Sequence, residues 1–213
     1  MIAVGAIAAA GMQASFAAVV IPREPAEPIQ ASRQAGPRLF FGAKTNGRAD
    51  GDGLVPDGTR SILNISKRLR YGQFVWDATD IDDGVKVIRV DLERQLISVF
   101  RGGHEIGTAV ILYGAEGHDT PLGRFPIMAK LEKHRSATYD APMPYTLRLT
   151  RDGVSIHGSE VRWGAATHGC IGVPVEFARR LFNEVEVGDT VEVIGGLTDK
   201  AVPSTDPTLS TFS

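Results

Sequence analysis

Apolar and polar positions alternate in two neighbouring stretches near the middle of the chain. Residues 85–91 and 95–101 each alternate over most of their length, with pairs of adjacent apolar residues in between, and a tight connection of three residues separates them. A period of two is typical of a strand that buries one face. The two stretches therefore predict a β-hairpin.

Shorter apolar runs on both sides of this hairpin predict further strands. Upstream, residues 71–76 predict a strand or a lid against the domain, and residues 61–70 predict a short helix or a packed loop. Together these runs favour a mainly β fold. The downstream runs lie at residues 104–113, 124–130, 145–150, 154–157 and 190–194.

One later stretch has the spacing of a helix. Pro174 stands where a helix can begin, and Glu176 falls in the first turn, where a negative charge is favoured. Gly188 ends the connection to the last strand. The apolar residues recur at intervals of three and four and would form one buried face. They are Phe177, Ala178, Leu181 and Phe182.

The composition is that of a globular protein. The chain has 213 residues, 43% of them hydrophobic and 23% charged, which allows one ordinary domain with extensions. The 24 glycines, among short β-branched runs, favour turns and strands. The net charge of −2 gives no electrostatic reason to expect nucleic acid or an anionic membrane surface as a partner.

The N-terminal region differs from the rest. Residues 1–21 contain no charged side chain, which predicts a signal peptide or membrane anchor over residues 1–22; a buried helix is the alternative. No cysteine lies nearby to carry a lipid. The next residues are rich in proline, as in an extended linker.

This division predicts an exported protein of the periplasm or cell envelope that touches a membrane only through an uncleaved N-terminus. The predicted segments are a Pro/Gly-rich linker and extension at residues 23–70, a catalytic domain at 71–196 and a flexible tail at 197–213.

The chain has a single cysteine, Cys170, which follows Thr-His-Gly and lies thirteen residues after His157. A lone thiol has no disulfide partner in the chain, so in an exported protein it is a candidate nucleophile. Thiol attack needs a base, and both His157 and His168 are candidates. The alternative is an inert core cysteine. The histidine–cysteine spacing matches no zinc pattern, so we expect no metal and no cofactor.

The residues around this cysteine carry a family resemblance. Ser-Ile-His-Gly-Ser at residues 155–159 and Thr-His-Gly-Cys at 167–170 resemble the signature of the L,D-transpeptidases, the YkuD domain family. Further blocks occur in the family's order, so the resemblance covers residues 86–195. Those blocks are residues 87–92 and 95–100, similar to the opening hairpin, residues 119–127, similar to the Thr-Pro-x-Gly-x-Phe turn, and residues 187–193, similar to the closing strand.

The resemblance implies a mainly β fold of sandwich or mixed-sheet type, with one principal helix after the cysteine. It implies an L,D-transpeptidase that acts on peptidoglycan stem peptides through a thioester and serves cell-wall biogenesis and cell shape. The acceptor is a second stem peptide or a wall protein. The alternatives are an L,D-carboxypeptidase or other peptidoglycan hydrolase on the same fold, a non-catalytic wall-binding module, and, less in keeping with the order of the residues, a papain-like peptidase.

The resemblance also implies roles for individual residues. Cys170 is the nucleophile, His157 donates and accepts the proton, and His168 supports them. A backbone carbonyl at Gly158 or Ser159 orients the base.

Other roles rest on the type and position of the residue. Backbone N–H groups of Gly169 and Cys170 are candidates to bind an oxyanion, and Thr167 either joins them or caps the turn. Tyr145 and Trp163 are candidate substrate contacts or core residues. The two remaining histidines in the loops, His118 and His134, are interpreted as surface residues.

Two features depart from the family. Gly172 stands where members usually have Arg or Asn, which predicts an active-site turn that depends on backbone contacts. Only nine residues separate His157 from Thr167, which predicts a small lid over the acyl pocket.

Overall fold

The computed structural model describes residues 36–41, 55–136 and 140–195. The predicted export segment, much of the predicted linker and the predicted tail lie outside these ranges. Twelve strands and one helix are described. The strands are β1 Gly36–Phe40, β2 Ser61–Asn64, β3 Phe74–Trp76, β4 Lys86–Asp91, β5 Leu96–Arg101, β6 His104–Val110, β7 Gly123–Pro126, β8 Ala129–Leu131, β9 Thr146–Arg148, β10 Ser155–Ser159, β11 Ile171–Pro174 and β12 Thr190–Ile194, and the helix is α1 Val175–Glu184.

Eight of the described strands form one mixed sheet. Its order is β1-β2-β6-β5-β4-β12-β7, and β3 pairs with β6 beside this path. β4 and β5 form the hairpin that the alternation predicts, with Lys86 opposite Arg101. The closing strand β12 lies parallel to β4 and antiparallel to β7.

The other four strands form a second sheet in the order β11-β10-β9-β8. The pair at one edge, β11 and β10, is parallel, and the remaining pairs are antiparallel. A parallel pair needs a crossover connection, and residues 160–170 supply it. This connection delivers both predicted catalytic segments to neighbouring strands.

The core contains the residues that alternation assigns to the buried face. Ile88 and Val90 of β4, together with Ile97 and Val99 of β5, have no exposed surface. Burial of these branched side chains supplies the main driving force for folding. The resulting fold is mainly β, with mixed sheets and one described helix after Cys170, as predicted.

The helix α1 buries the face that its sequence predicts. Phe177, Ala178 and Leu181 are buried, and the Phe177 ring meets those of Phe74 and Trp76 edge to face, with centroid distances of 5.8 and 5.4 Å. The helix thereby joins the second sheet to β3. No helix among the described residues is both long and apolar enough to cross a membrane.

The prediction of a helix or loop at residues 61–70 is wrong for its first part. Ser61–Asn64 is a strand that pairs with β1 and, through Ser61 and His104, with β6. The helical spacing of the apolar residues is overridden by hydrogen bonding to distant strands. Part of the predicted N-terminal extension is therefore built into the first sheet.

The single strand predicted at residues 124–130 is two strands in different sheets. β7 ends at Pro126, and the chain bends through Ile127 and Met128 before β8 begins. The Ile127 N–H donates to Asp189 O at 2.9 Å, and the Met128 N–H donates to Arg148 O at 2.7 Å. The change of sheet therefore occurs between two adjacent residues, as at the corner of a β-sandwich.

Candidate active site

Cys170 lies directly before β11, at the end of a tight turn. The turn requires glycine at position 169, because its φ is +101°, a conformation that other residues rarely adopt. The thiol is partly buried, and its S–H points to the carbonyl oxygen of Gly153 at 3.9 Å. The cysteine is therefore held at the edge of the core and remains partly open to solvent.

The parallel pairing of β10 and β11 brings the segments that carry His157 and Cys170 together. The register sets Ile156 against Ile171 and His157 against Gly172. Cys170 directly precedes Ile171, two residues before the partner of His157. Because side chains alternate along a strand, a continuation of this register to Cys170 would put the thiol on the same face as the imidazole.

The imidazole is fixed by its own backbone. His157 Nδ1 lies 3.0 Å from the carbonyl oxygen of Gly158. Because a carbonyl only accepts hydrogen bonds, Nδ1 carries the proton and Nε2 keeps the lone pair that can accept another. Of the two carbonyls that the sequence offers, Gly158 makes this contact.

Burial affects the two groups in opposite directions. It lowers the pKa of His157, and the charge of His134 lowers it further, against the opposing hydrogen bond that His157 donates to the Gly158 carbonyl. Burial also raises the pKa of the Cys170 thiol, assisted by the negative charge of Asp152 and opposed by a hydrogen bond from the Ser155 backbone. Both shifts favour the neutral forms, a thiol and an uncharged imidazole.

Thr167 fixes the turn. Its hydroxyl donates to the carbonyl oxygen of Cys170, its N–H donates to Tyr113 O at 2.9 Å, and its carbonyl accepts from Ala115 N–H at 3.0 Å. These bonds tie the segment before Cys170 to the segment after β6. Of the two roles expected for Thr167, this geometry favours capping.

The Thr-Pro segment at residues 119–127 also supports the turn before Cys170. The Thr120 side chain is buried and accepts a hydrogen bond from Gly114 N–H at 2.9 Å. A Cβ at position 114 would lie 1.8 Å from the His118 carbonyl oxygen, so only glycine fits there. The loop between them is drawn close to Thr167.

This loop brings His118 to the candidate site. Its ring lies 4.9 Å from that of His168, edge to face, and both side chains are exposed. His118 is thus a surface residue, as interpreted from the sequence, but its ring packs on that of His168, which the sequence does not predict. The sequence feature that could have indicated this position is that His118 directly precedes Asp119-Thr120-Pro121.

His134, interpreted from the sequence as a surface residue, is half-buried. It lies in a hairpin that continues β8 and β9, where its carbonyl accepts from Met143 N–H at 2.9 Å. On the returning side, Pro144 O accepts from Gly158 N–H at 2.8 Å. The hairpin thus sits on β10, close enough for the charge of His134 to act on His157.

The two aromatic candidates lie on different sides. Tyr145 has φ of +56°, and its ring packs 5.8 Å from that of Phe182 on α1. Trp163 is 77% exposed, and its ring meets that of Tyr71 edge to face at 5.6 Å. Tyr145 therefore packs against the helix, whereas Trp163 stands on the surface of the His157–Thr167 connection.

Gly172 lies within β11, rather than in the active-site turn as predicted. It is paired with His157, and its φ is outside the left-handed region. A Cβ at this position would lie 3.1 Å from Ser159 Cβ and 3.4 Å from Leu112 Cβ. Glycine suits this position because Ser159 packs closely against it, and not because the backbone is strained.

Comparison with known proteins adds a family match. The sequence profile of the L,D-transpeptidase catalytic domain (YkuD) matches residues 85–193, just over half of the chain. The L,D-transpeptidase 1 of Mycobacterium tuberculosis is 28% identical over 115 residues, which are 46% of this chain and 46% of that protein. The chain thus spans about half the length of the curated relatives that it matches.

Solved structures give similar partial matches. An L,D-transpeptidase from Stackebrandtia nassauensis is 27% identical, with 54% of this chain and 58% of that chain covered and a TM-score of 0.49. An Enterococcus faecium L,D-transpeptidase is 30% identical, with 54% and 50% covered and a TM-score of 0.46.

Proposed function

The chain belongs to the L,D-transpeptidase catalytic domain family (YkuD), and we propose that it is a cysteine-dependent L,D-transpeptidase that acts on peptidoglycan stem peptides. Membership of the family supports transpeptidase function. The observation on this chain that carries the proposal is the parallel register that pairs His157 with Gly172, two residues after Cys170, with His157 Nδ1 held 3.0 Å from Gly158 O.

In the first step the thiol attacks the peptide bond after the L-centre of the third stem residue, meso-diaminopimelate or a similar residue. The Cys170 proton moves to His157 Nε2 as the S–C bond forms. The tetrahedral intermediate then collapses, the C–N bond breaks, and His157 returns the proton to the leaving amine. A thioester remains, and the terminal D-amino acid is released.

In the second step an acceptor amine resolves the thioester. Its nitrogen attacks the carbonyl carbon, the C–S bond breaks, and His157 carries a proton from the amine to the departing sulfur. The acceptor is a neighbouring stem peptide or a wall protein. Because the resting pair is neutral, His157 acts as a general base during attack and does not hold a preformed thiolate.

The developing oxyanion needs donors that are already in place. Backbone N–H groups of Gly169 and Cys170 are suited to this, since the positive φ of Gly169 turns the chain sharply in front of the sulfur. The Thr167 hydroxyl is already bonded to the Cys170 carbonyl. We therefore assign the oxyanion contact to the backbone and the support of the turn to Thr167.

The proposed substrate locates the protein in the cell envelope, where the uncharged residues 1–21 direct it across the membrane. His168, paired with His118, supports the turn at the solvent side. Trp163 contacts substrate from the exposed connection, and Tyr145 acts through the hairpin that covers β10.

Product analysis with a purified tetrapeptide stem tests the proposal. Mass spectrometry is expected to show a cross-linked dimer that has lost one terminal D-amino acid, together with the free amino acid. Cys170→Ala is the matched control and should yield neither. A tripeptide without dimer would identify a hydrolase instead, and an unchanged tetrapeptide with the wild-type chain would contradict the proposal.

A further inference from the structure

A cavity of about 360 Å³ opens on the N-terminal side of the first sheet, between β1, the start of β6 and the loop before β4. Its volume is within the range of small-molecule sites. Both signs of charge line it, which is unusual for a simple surface depression. The charged and titratable lining residues are Arg38, Arg60, His104, Asp80, Asp82 and Asp83.

This cavity is remote from Cys170. It is lined by His104, the first residue of β6, whereas Leu112, eight residues later, pairs with Gly172 beside the candidate active site. At a rise of ~3.3 Å per residue, the two ends are roughly 26 Å apart. A ligand in the cavity would therefore not touch the thiol.

The cationic wall is held in place by hydrogen bonds, and the charges of Asp77 and Glu105 partly compensate that of Arg38 without an ion pair to it. The Arg38 guanidinium donates to Ser61 Oγ at 3.1 Å, to Asp77 O at 3.1 Å and to Glu105 O. All three acceptors are neutral oxygens. The exposed side chain of Arg60 makes no ion pair within the described ranges. Both guanidiniums thus face the cavity without a carboxylate bonded to them.

The acidic wall is a loop whose backbone is held by hydrogen bonds from Arg101. Arg101 donates to Ala78 O at 3.2 Å and to Ile81 O at 2.8 Å, and its other nitrogen pairs with Glu184 of α1 at 3.2 Å. Asp80 has φ of +57°, an unusual conformation of the kind that occurs at binding sites. The loop therefore presents its side chains from a defined backbone.

The two walls leave a gap between opposite charges. Among the residues that the structure describes, Asp80, Asp82 and Asp83 form no ion pair with Arg38 or Arg60 within 4.0 Å. A simple anion would be attracted by one wall and repelled by the other, and a simple cation likewise. A ligand that carries both charges satisfies both walls.

We propose that this cavity binds a zwitterionic amino-acid or peptide end, with its carboxylate on Arg60 and Arg38 and its ammonium on the loop of Asp80, Asp82 and Asp83. The site is independent of the thiol chemistry. Three sources share this ligand chemistry: a free amino acid, a short peptide with both ends free, and the diamino acid of a stem peptide. Only the last source rests on the proposed function.

Binding is tested by calorimetry on the full chain with alanyl-alanine as the probe. A dissociation constant on the order of 1 mM is expected for a small ligand in an open, charged site. N-acetyl-alanyl-alanine amide, which lacks both charges, should not bind. Free alanine and the tetrapeptide stem, both added to the Cys170→Ala variant, distinguish the three sources by their relative affinities.

Matched variants locate the site. Arg60→Gln and Asp82→Asn should each raise the dissociation constant at least about fivefold, the loss expected for a hydrogen bond to a charged group. Arg68→Gln and Glu93→Gln remove exposed charges elsewhere and should leave it unchanged. Because all four side chains are exposed, melting temperatures should stay at the wild-type value and show that each variant is folded.

A second measurement, NMR on the wild-type protein, tests the proposal without any substitution. In wild-type protein the NMR signal of the His104 ring should move on titration with alanyl-alanine, while that of His157 stays in place. Equal binding of the blocked peptide, unchanged affinity in Arg60→Gln and Asp82→Asn, or a shift at His157 alone would each overturn the proposal.

Discussion

At the scale of single residues, the candidate site depends on a neutral pair. A thiolate–imidazolium pair would need a low thiol pKa and a high imidazole pKa, but burial shifts both in the opposite sense. On the proposed mechanism the thiol proton moves to His157 as the sulfur attacks a substrate carbonyl. The contact of His157 Nδ1 with Gly158 O leaves Nε2 free for that role.

The roles of the two histidines predict unequal effects of their loss. His157→Ala should lower the rate of carbapenem acylation by about 10²–10⁴-fold, because it removes the general base. His168→Ala, which removes an exposed ring that packs on His118, should lower it far less. Stopped-flow acylation kinetics compare the two variants. A larger loss in His168→Ala would require the two roles to be exchanged.

The lowered pKa of His157 predicts how stability depends on pH. In the unfolded chain the group has a pKa of about 6.5, whereas burial lowers it in the folded chain. Between these two values the unfolded state binds more protons, so stability rises with pH and is lost as pH falls through the folded value. The slope from this group is at most about 1.4 kcal/mol per pH unit.

Urea unfolding from neutral pH downward measures that slope. His157→Gln should flatten the pH dependence below about pH 6.5, because its side chain does not titrate. His168→Gln is the matched control, since its ring is exposed, and should keep the wild-type slope. Identical slopes in wild type and His157→Gln would show that His157 does not titrate differently in the two states.

The roles of residues were predictable from the sequence only where residues adjacent in the chain form a recognisable motif. Cys170 and His157 are recognisable because glycine, histidine and cysteine stand together in short motifs. His118 and His134 lie 50 and 23 residues from their partners His168 and His157, and only the folded sheets bring them close. No local pattern marks such a contact.

At the scale of elements, the parallel pair β10 and β11 carries the segments with the candidate catalytic residues. The two strands pack so closely at position 172 that any side chain there should lower the stability of the fold. Gly172→Ala should destabilise the protein by about 1 kcal/mol or more, because the Cβ of the new alanine would lie only 3.1 Å from Ser159 Cβ. Chemical denaturation gives the loss.

A double-mutant cycle supplies the control for this prediction. Ser159→Gly removes the atom that the new Cβ would meet, so the double variant should recover most of the stability lost in Gly172→Ala beyond the cost of Ser159→Gly alone. Additive effects would mean that crowding between these two positions is not the cause.

A second element-scale prediction concerns the contact between β5 and α1. The Arg101–Glu184 ion pair is largely shielded from water, with side chains 14% and 13% exposed. Arg101→Ala leaves Glu184 without its partner and frees two loop carbonyls, so a loss of about 3 kcal/mol is expected. Thermal or urea unfolding measures it.

Arg94→Ala is the matched control. Its partner is Asp91, and the Arg94 side chain is 37% exposed, so a loss below about 1 kcal/mol is expected. Equal effects of Arg94→Ala and Arg101→Ala would contradict the structural role of Arg101. Arg101→Ala should also weaken binding of alanyl-alanine, because it releases the loop that carries Asp82.

Elements were predictable where the signal is local. The β4–β5 hairpin and α1 follow from periods of two and 3.6 within short windows. The pairing of β1 and β2 with β6, and the change of sheet between β7 and β8, depend on hydrogen bonds to strands far along the chain. Tertiary pairing of this kind overrides local propensity.

At the scale of the whole molecule, one strand connects the two sites. β6 begins at the charged cavity and leads to Leu112, which pairs with Gly172 next to the catalytic pair. Strand β1 and Arg60, just before β2, contribute one wall of the cavity, whereas Gly102 and His104 belong to the family match at residues 85–193. The proposed second site therefore lies where the N-terminal extension meets the family domain.

The most direct test of the central claim is the mass of the intact protein during reaction with a tetrapeptide stem. The wild-type chain should gain the mass of the tetrapeptide stem less that of the released free D-amino acid, and peptide mapping should place this adduct on Cys170. Cys170→Ala should show no adduct. An adduct on another residue, or an equal adduct in Cys170→Ala, would contradict the assignment of Cys170 as the nucleophile.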